Sequence, residues 1–229
     1  MKSEVKTPKQ IEIAKSGAEN ETRAMPTTNP LLVLISAPSG GGKTTIIQQL
    51  LAARPQMARA VTCTTRSPRQ GEKDGVDYYF LDAESFLKRV QAGNFLEHAT
   101  VYGNSYGILK SEVLSKLRQG KDVVLSVDVQ GAATIREKAQ EDPELKRAFV
   151  SVFLTPPSLT VLKERLEKRG TESAAVIQKR LSVARQELAQ WKNFDYLLIS
   201  ATIPQDLRKM LAIVEAEQMR SSRVQPPEF

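Results

Sequence analysis

Five apolar residues, Leu31-Leu32-Val33-Leu34-Ile35, run straight into Ser36-Ala37-Pro38-Ser39-Gly40-Gly41-Gly42-Lys43-Thr44, and an apolar, helix-compatible stretch continues from Thr45 to Ala53. Strand, glycine-rich turn and helix in this order restrict the fold more than any other part of the chain. The second half of the turn, GGGKT, meets the phosphate-loop pattern, with Ala37 in the place of the usual first glycine. Glycines let successive backbone N–H groups turn inward around phosphate oxygens, and the start of the following helix adds unsatisfied donors and the positive end of its dipole. The segment from Ala37 through Pro38, Ser39, Gly40, Gly41, Gly42, Lys43, Thr44 and Thr45 is therefore the candidate phosphate-binding element. Lys43 would reach the outer phosphates, and the Thr44 hydroxyl would help hold Mg²⁺. The alanine is compatible with this arrangement if it takes an ordinary backbone conformation.

The rest of the chain continues the rhythm. Val123-Val124-Leu125-Ser126-Val127, Phe149 to Leu154, and Tyr196-Leu197-Leu198-Ile199 read as strands buried on both faces. Helical patterns cover about 130–140, 158–169, 173–190 and 204–219; Pro156-Pro157 stops a strand and Pro204 suits a helix start. Strands alternating with helices give an α/β fold with a mostly parallel sheet covered on two sides. Residues 60 to about 120 break the pattern with short segments and turns such as Arg69-Gln70-Gly71 and Lys73-Asp74-Gly75, as expected of an inserted, substrate-facing lobe.

Composition narrows the classes. The 229 residues, 41% hydrophobic and 26% charged, suit one core with attachments. A net charge of +7 fits either nucleic acid or a highly anionic small substrate. An aromatic content of 6%, without alternating basic and stacking residues, argues against nucleic acid as partner. Cys63 is the single cysteine, so an internal disulfide or cysteine-based metal cluster cannot form. No stretch approaches the roughly 18 apolar residues of a membrane span, and no membrane partner is expected. Residues 1–29 read as a polar leader and 223–229 as a tail, with a cytoplasmic location. Monomer and homodimer both stay open.

Beyond the loop, Thr62-Cys63-Thr64-Thr65-Arg66-Ser67-Pro68-Arg69-Gln70-Gly71-Glu72 and Gly75-Val76-Asp77-Tyr78-Tyr79-Phe80 closely resemble guanylate kinase. Phe95-Leu96-Glu97, Gly103-Asn104-Ser105-Tyr106-Gly107, Asp128-Val129-Gln130-Gly131 and Arg165 through Glu172 extend the likeness in the same order, over about 31–219. The resemblance implies a phosphate-loop NTPase-like parallel sheet flanked by helices, formed by 30–60 and 121–222. It also implies a GMP-binding lobe at 61–120 and a helical lid near 163–190. It implies Mg-dependent transfer of the ATP γ-phosphoryl group to GMP, with ATP and GMP as small-molecule partners. Arg66 and Arg69 would grip the GMP phosphate beside Tyr78, Tyr106 and Gly107; Glu97 would accept from guanine N1 and the amino group; Thr62 or Thr64 would donate to O6. Asp128 would stand at the base and metal side of the acceptor pocket. Lys43, Arg165, Arg169 and Arg180 would stabilise the charge on the migrating phosphoryl group.

Three departures bear on efficiency and selectivity. Ile108 replaces a small hydroxyl residue, Ser126 a commonly acidic one, and Ser200-Ala201-Thr202 an Asn-Asp segment near the adenine end of ATP. A kinase for another phosphorylated small molecule and a catalytically silent protein-binding module are the alternatives; retention of Gly40, Gly42, Lys43 and Thr44 weighs against the second.

Overall fold

The computed structural model describes residues 29–101, 103–168 and 173–224. Along the chain, β1 (Leu32–Ser36) enters α1 (Lys43–Ala53), and β2 (Ala58–Arg59), β3 (Thr62–Thr64) and β4 (Tyr78–Phe80) precede α2 (Ala83–Gln91). Next come β5 (Phe95–Val101), β6 (Asn104–Leu109), α3 (Lys110–Arg118), β7 (Val123–Ser126), α4 (Val129–Glu141) and α5 (Pro143–Ala148). The chain closes with β8 (Phe149–Thr155), α6 (Leu159–Lys168), α7 (Ala174–Leu188), β9 (Tyr196–Ile199) and α8 (Ile203–Gln218).

Five strands form one parallel sheet in the order β2-β7-β1-β8-β9. Parallel neighbours require crossovers, and the crossover helices cover the sheet's faces. Along β1 the side chains alternate between two cores. Val33 and Ile35 pack with Ile46, Leu50, Met210 and Val214 of α1 and α8. Leu32 and Leu34 pack with Val113, Leu117, Ala132 and Ile135 of α3 and α4. Both faces are apolar because both are covered, and each such side chain contributes about 1.5–3 kcal/mol on burial.

A second sheet, β4-β3-β6-β5, is mixed: β3 runs parallel to β4 and antiparallel to β6. Glu112 of α3 joins it to the core, accepting from Val61 N at 3.0 Å and Tyr79 Oη at 3.1 Å, with Lys116 as its cationic partner.

Two readings need correction. The strand expected to reach Val127 ends at Ser126, because Asp128 caps α4 by accepting the Gly131 N–H at 2.8 Å. The strand β9 is not buried on both faces: Leu197 is 42% and Ile199 50% exposed, while Leu198 packs inward. It is an edge strand paired only with β8, which an apolar run cannot reveal.

The folded unit extends past residue 222 and begins before residue 30. Arg223, 5% exposed, pairs with Glu217, 2% exposed, and donates to the carbonyls of Arg147 at 2.8 Å and Phe149 at 3.1 Å. The Arg223 carbonyl in turn accepts from Asn29 N at 3.2 Å and Nδ2 at 3.0 Å. Without Arg223, the buried Glu217 keeps only the half-exposed Arg220 and the Tyr196 hydroxyl, both on Oε1, so its charge is incompletely compensated. Arg223→Met is expected to lower the unfolding free energy by about 3 kcal/mol in urea titration, and adding Glu217→Met should restore most of it; an unchanged midpoint in the single variant would refute the pair's role.

Candidate active site

The loop between β1 and α1 is shaped by its glycines. Gly40 and Gly42 hold φ of +87° and +103°, a region L-residues avoid. At Gly41 a Cβ would lie 2.9 Å from both Ala37 Cβ and the Pro38 carbonyl, which accepts the Gly41 N–H at 2.8 Å. Gly42 stands at the N-cap of α1 without a side chain to cap it, and the first turn carries no acidic residue. The opening amides of α1 are thus left for an anion. Lys43 folds back so that Nζ donates to the buried Ala37 carbonyl. Burial holds its pKa below the ordinary lysine value, against the opposing attraction of Glu187 and Asp128.

Two clefts open on either side of this helix start. The first, 350 Å³, is bounded by Gly40 to Gly42, Thr45, Arg165, Lys168 and the Ser200-Ala201 turn. The second, 370 Å³, is lined by Thr44, Thr62, Tyr78, Glu97, Tyr106 and Asp128, with Ile108 and Ser126 in its wall. Consecutive residues of one helical turn, Thr44 and Thr45, therefore face different clefts, with Lys43 immediately before them.

In the second cleft, Glu97 stands beside the first turn of α4. Gly131 makes that approach possible, since a Cβ there would lie 3.1 Å from Glu97 Cγ and 3.2 Å from Cδ. Burial, then the neighbouring Asp128, pushes the Glu97 pKa up to about 7, while Lys138 acts in the other direction. Arg66 is outside the cleft lining but lies over the ring of Tyr78, which lines it, 5.3 Å from the centroid, and Tyr106 meets Tyr78 edge-on at 6.3 Å.

Other residues singled out in the sequence lie differently. Thr64 is fully buried, and its Oγ1 accepts the Arg66 N–H at 3.2 Å, supporting the turn that carries Arg66. Gly107 is a packing position, because a Cβ would fall 2.8 Å from the Phe95 ring. Arg69 is exposed on the loop after β3, outside the cleft lining.

From the helices α6 and α7, Arg165 donates to Ser200 Oγ at 3.0 Å and Arg180 to Ser39 Oγ at 2.6 Å. Arg169 lies outside the described residues. Two residues beside the loop were missed. Lys168 lines the first cleft, and Glu187, whose pKa burial raises, keeps Oε2 enclosed without a hydrogen-bond partner. Arg180, Ala184 and Glu187 are spaced four and three apart, so they share one face of α7. As charges on an amphipathic helix, Lys168 and Glu187 carry no sequence mark of this placement.

A parallel α/β sheet, a phosphate loop on its central strand and two facing clefts define a phosphate-loop phosphotransferase. The family model described as guanylate kinase matches residues 29–217. The chain is 42% identical to a guanylate kinase of Coxiella burnetii over 82% of its own length and 88% of that protein. It is 44% identical to one of Hahella chejuensis, covering 83% and 88%. The crystal structure of guanylate kinase from Anaplasma phagocytophilum superposes with a TM-score of 0.65 at 30% identity, covering 87% of this chain and 92% of that one. The chain belongs to the guanylate kinase family.

The raised pKa of Glu97 has a consequence for stability. With a folded value near 7 and an ordinary value of 4.5, the protonated carboxyl favours the folded state at low pH, and that contribution is lost as pH rises through about 7. Glu97→Gln should therefore gain thermal stability over the parent at pH 8 by on the order of 1 kcal/mol, solvent screening included, with a smaller gain at pH 5. Melting curves at the two pH values decide it, and a gain that shrinks at pH 8 would contradict the assignment.

Proposed function

We propose that this protein transfers the γ-phosphoryl group of ATP to GMP, and to dGMP, giving ADP and GDP with Mg²⁺ accompanying the donor phosphates. The observation that carries the reading is the placement of Thr44 and Thr45 at the uncapped start of α1, one facing each cleft. A triphosphate seated on the loop from Ala37 to Thr45 presents its outer phosphate toward the second cleft, where the acceptor phosphate waits.

Residues 61–120 then act as the acceptor lobe and those near 163–190 as the lid. Ionised Glu97 accepts two hydrogen bonds from guanine, and adenine in the same place leaves that buried carboxylate unpaired. Thr62 serves O6, a reading supported by its position in the cleft lining. Arg66 and Arg69 take the acceptor phosphate, with Tyr78 and Tyr106 beside them. The nucleophile is already a phosphate oxygen, so no protein base is needed. Lys43, Arg165, Arg169 and Arg180 lower the barrier by spreading charge away from the migrating group, and the narrow clefts limit water.

Among the described residues no group of three His, Cys, Asp or Glu could hold a metal ion. Thr44, Ser126 and Asp128 nevertheless place hard oxygen donors around one cleft, which suits an ion held mainly by phosphates and water. When bound, Mg²⁺ supplies neutralisation of phosphate charge. Among the described residues no helix is long and apolar enough to cross a membrane; a cytoplasmic location accords with the buried free thiol of Cys63.

A coupled assay offering GMP, dGMP, AMP, UMP and CMP separately tests the reading. Guanine acceptors should be used at least about tenfold better than the rest; equal turnover with another base would sink the GMP assignment. Lys43→Ala should reduce transfer by about 100-fold or more, and near-parental turnover would remove the loop from the mechanism.

A further inference from the structure

Arg66 is held by the protein's own groups. Its Nη2 donates to both carboxylate oxygens of Glu72, at 2.8 and 2.9 Å, and its Nη1 donates to the Ser67 carbonyl at 2.6 Å. The guanidinium is pressed against Tyr78, and the side chains of Arg66 and Glu72 are only 15% and 20% exposed. Glu72 also controls the second arginine. Its Oε2 accepts the Arg69 N–H at 2.7 Å, and its own N–H donates to the Arg69 carbonyl at 3.1 Å. One carboxylate thus fixes the head group of Arg66 and the backbone of Arg69.

We propose that Glu72 is a positioning residue for the acceptor phosphate, holding the Arg66 fork flat on Tyr78 and setting its spacing from Arg69. The carboxylate takes Nη2 and the Ser67 carbonyl a proton of Nη1, with the Tyr106 side chain as a further hydrogen-bond partner of the guanidinium that a phosphate would share or replace. A guanidinium held from one side loses less freedom on binding an anion with the other. The hydrogen bond from Arg66, and then the one from the Arg69 amide, keep the Glu72 carboxyl below its ordinary pKa, so it stays an acceptor at neutral pH.

The inference rests on Arg66 meeting the acceptor phosphate, which Arg66→Ala tests separately. The decisive experiment compares steady-state KM for GMP and ATP, and competitive inhibition by guanosine, in the full chain carrying Glu72→Ala or Glu72→Gln. Glu72→Ala should raise KM for GMP about tenfold, with KM for ATP and the guanosine inhibition constant within about twofold of the parent, because guanosine carries no phosphate. Glu72→Gln, which keeps the shape and a neutral acceptor, should fall between, and it carries the test alone if the alanine variant does not fold. An unchanged KM for GMP, tighter GMP binding, or equal losses for guanosine and GMP would overturn the proposal, the last by showing only a loosened lobe. If Arg66→Ala raises KM for GMP and the Glu72 variants do not, the positioning role fails alone. If Arg66→Ala leaves that KM unchanged, the phosphate assignment fails with it.

Discussion

The helix start at Lys43 is the constraint on which the rest of the molecule depends. Backbone donors at a helix N-terminus must find acceptors, and here the sequence supplies neither a capping side chain nor a first-turn carboxylate. Such an end is stable only if it is wet or meets an anion, and it is held in place by the most buried strand of the sheet. The strand β1 is bonded on both sides, to β7 and β8, and none of its five residues is exposed. The loop that follows has little freedom: Gly41 is packed onto Ala37 and Pro38, and any side chain at Gly40 would strike Leu166 of α6 at 2.9 Å. Rigidity of the sheet thus becomes precision in the placement of the loop amides.

The acceptor side is built onto the same frame. The helix α3 follows directly from the four-stranded sheet, yet its Val113, Leu114 and Leu117 belong to the cluster containing Leu32 and Leu34 of β1. Glu97 on β5 approaches α4 through the space left by Gly131, and α4 is capped by Asp128, which lines the same cleft. The two carboxylates are forced together by backbone packing, and the higher pKa of Glu97 follows from burial and from that neighbour. Such a site is costly to keep in the absence of ligand, as is common where polar groups are arranged for recognition.

What was legible in the sequence was mostly local. The loop, the helix start at Pro204, and the mostly parallel sheet implied by alternating elements all depend on residues close together in the chain. The β9 edge was not legible, because the apolar spacing of Tyr196 to Ile199 does not say whether a second neighbour exists. Thr62 and Thr64 look equivalent, two apart on one strand, yet Thr62 opposes Ile108 at the cleft while Thr64 opposes Tyr106 in full burial. Glu72, Glu187 and Arg223 were hidden for another reason. Each gains its meaning from a partner, and among charged residues in helices and loops only three-dimensional placement distinguishes a partner from solvent.

The cations around the clefts divide according to what holds them. Arg165 and Arg180 donate to the hydroxyls of Ser200 and Ser39, and the Ser200 hydroxyl in turn donates a hydrogen bond to Asp206 at 2.8 Å. A hydroxyl is a neutral acceptor, so only the donor in each of these hydrogen bonds is charged, and an anionic oxygen in its place would add the opposite charge. Arg66, by contrast, is held by a carboxylate whose second contact fixes the loop backbone. Giving up that contact would cost the loop its turn, so Arg66 gains most by keeping Glu72.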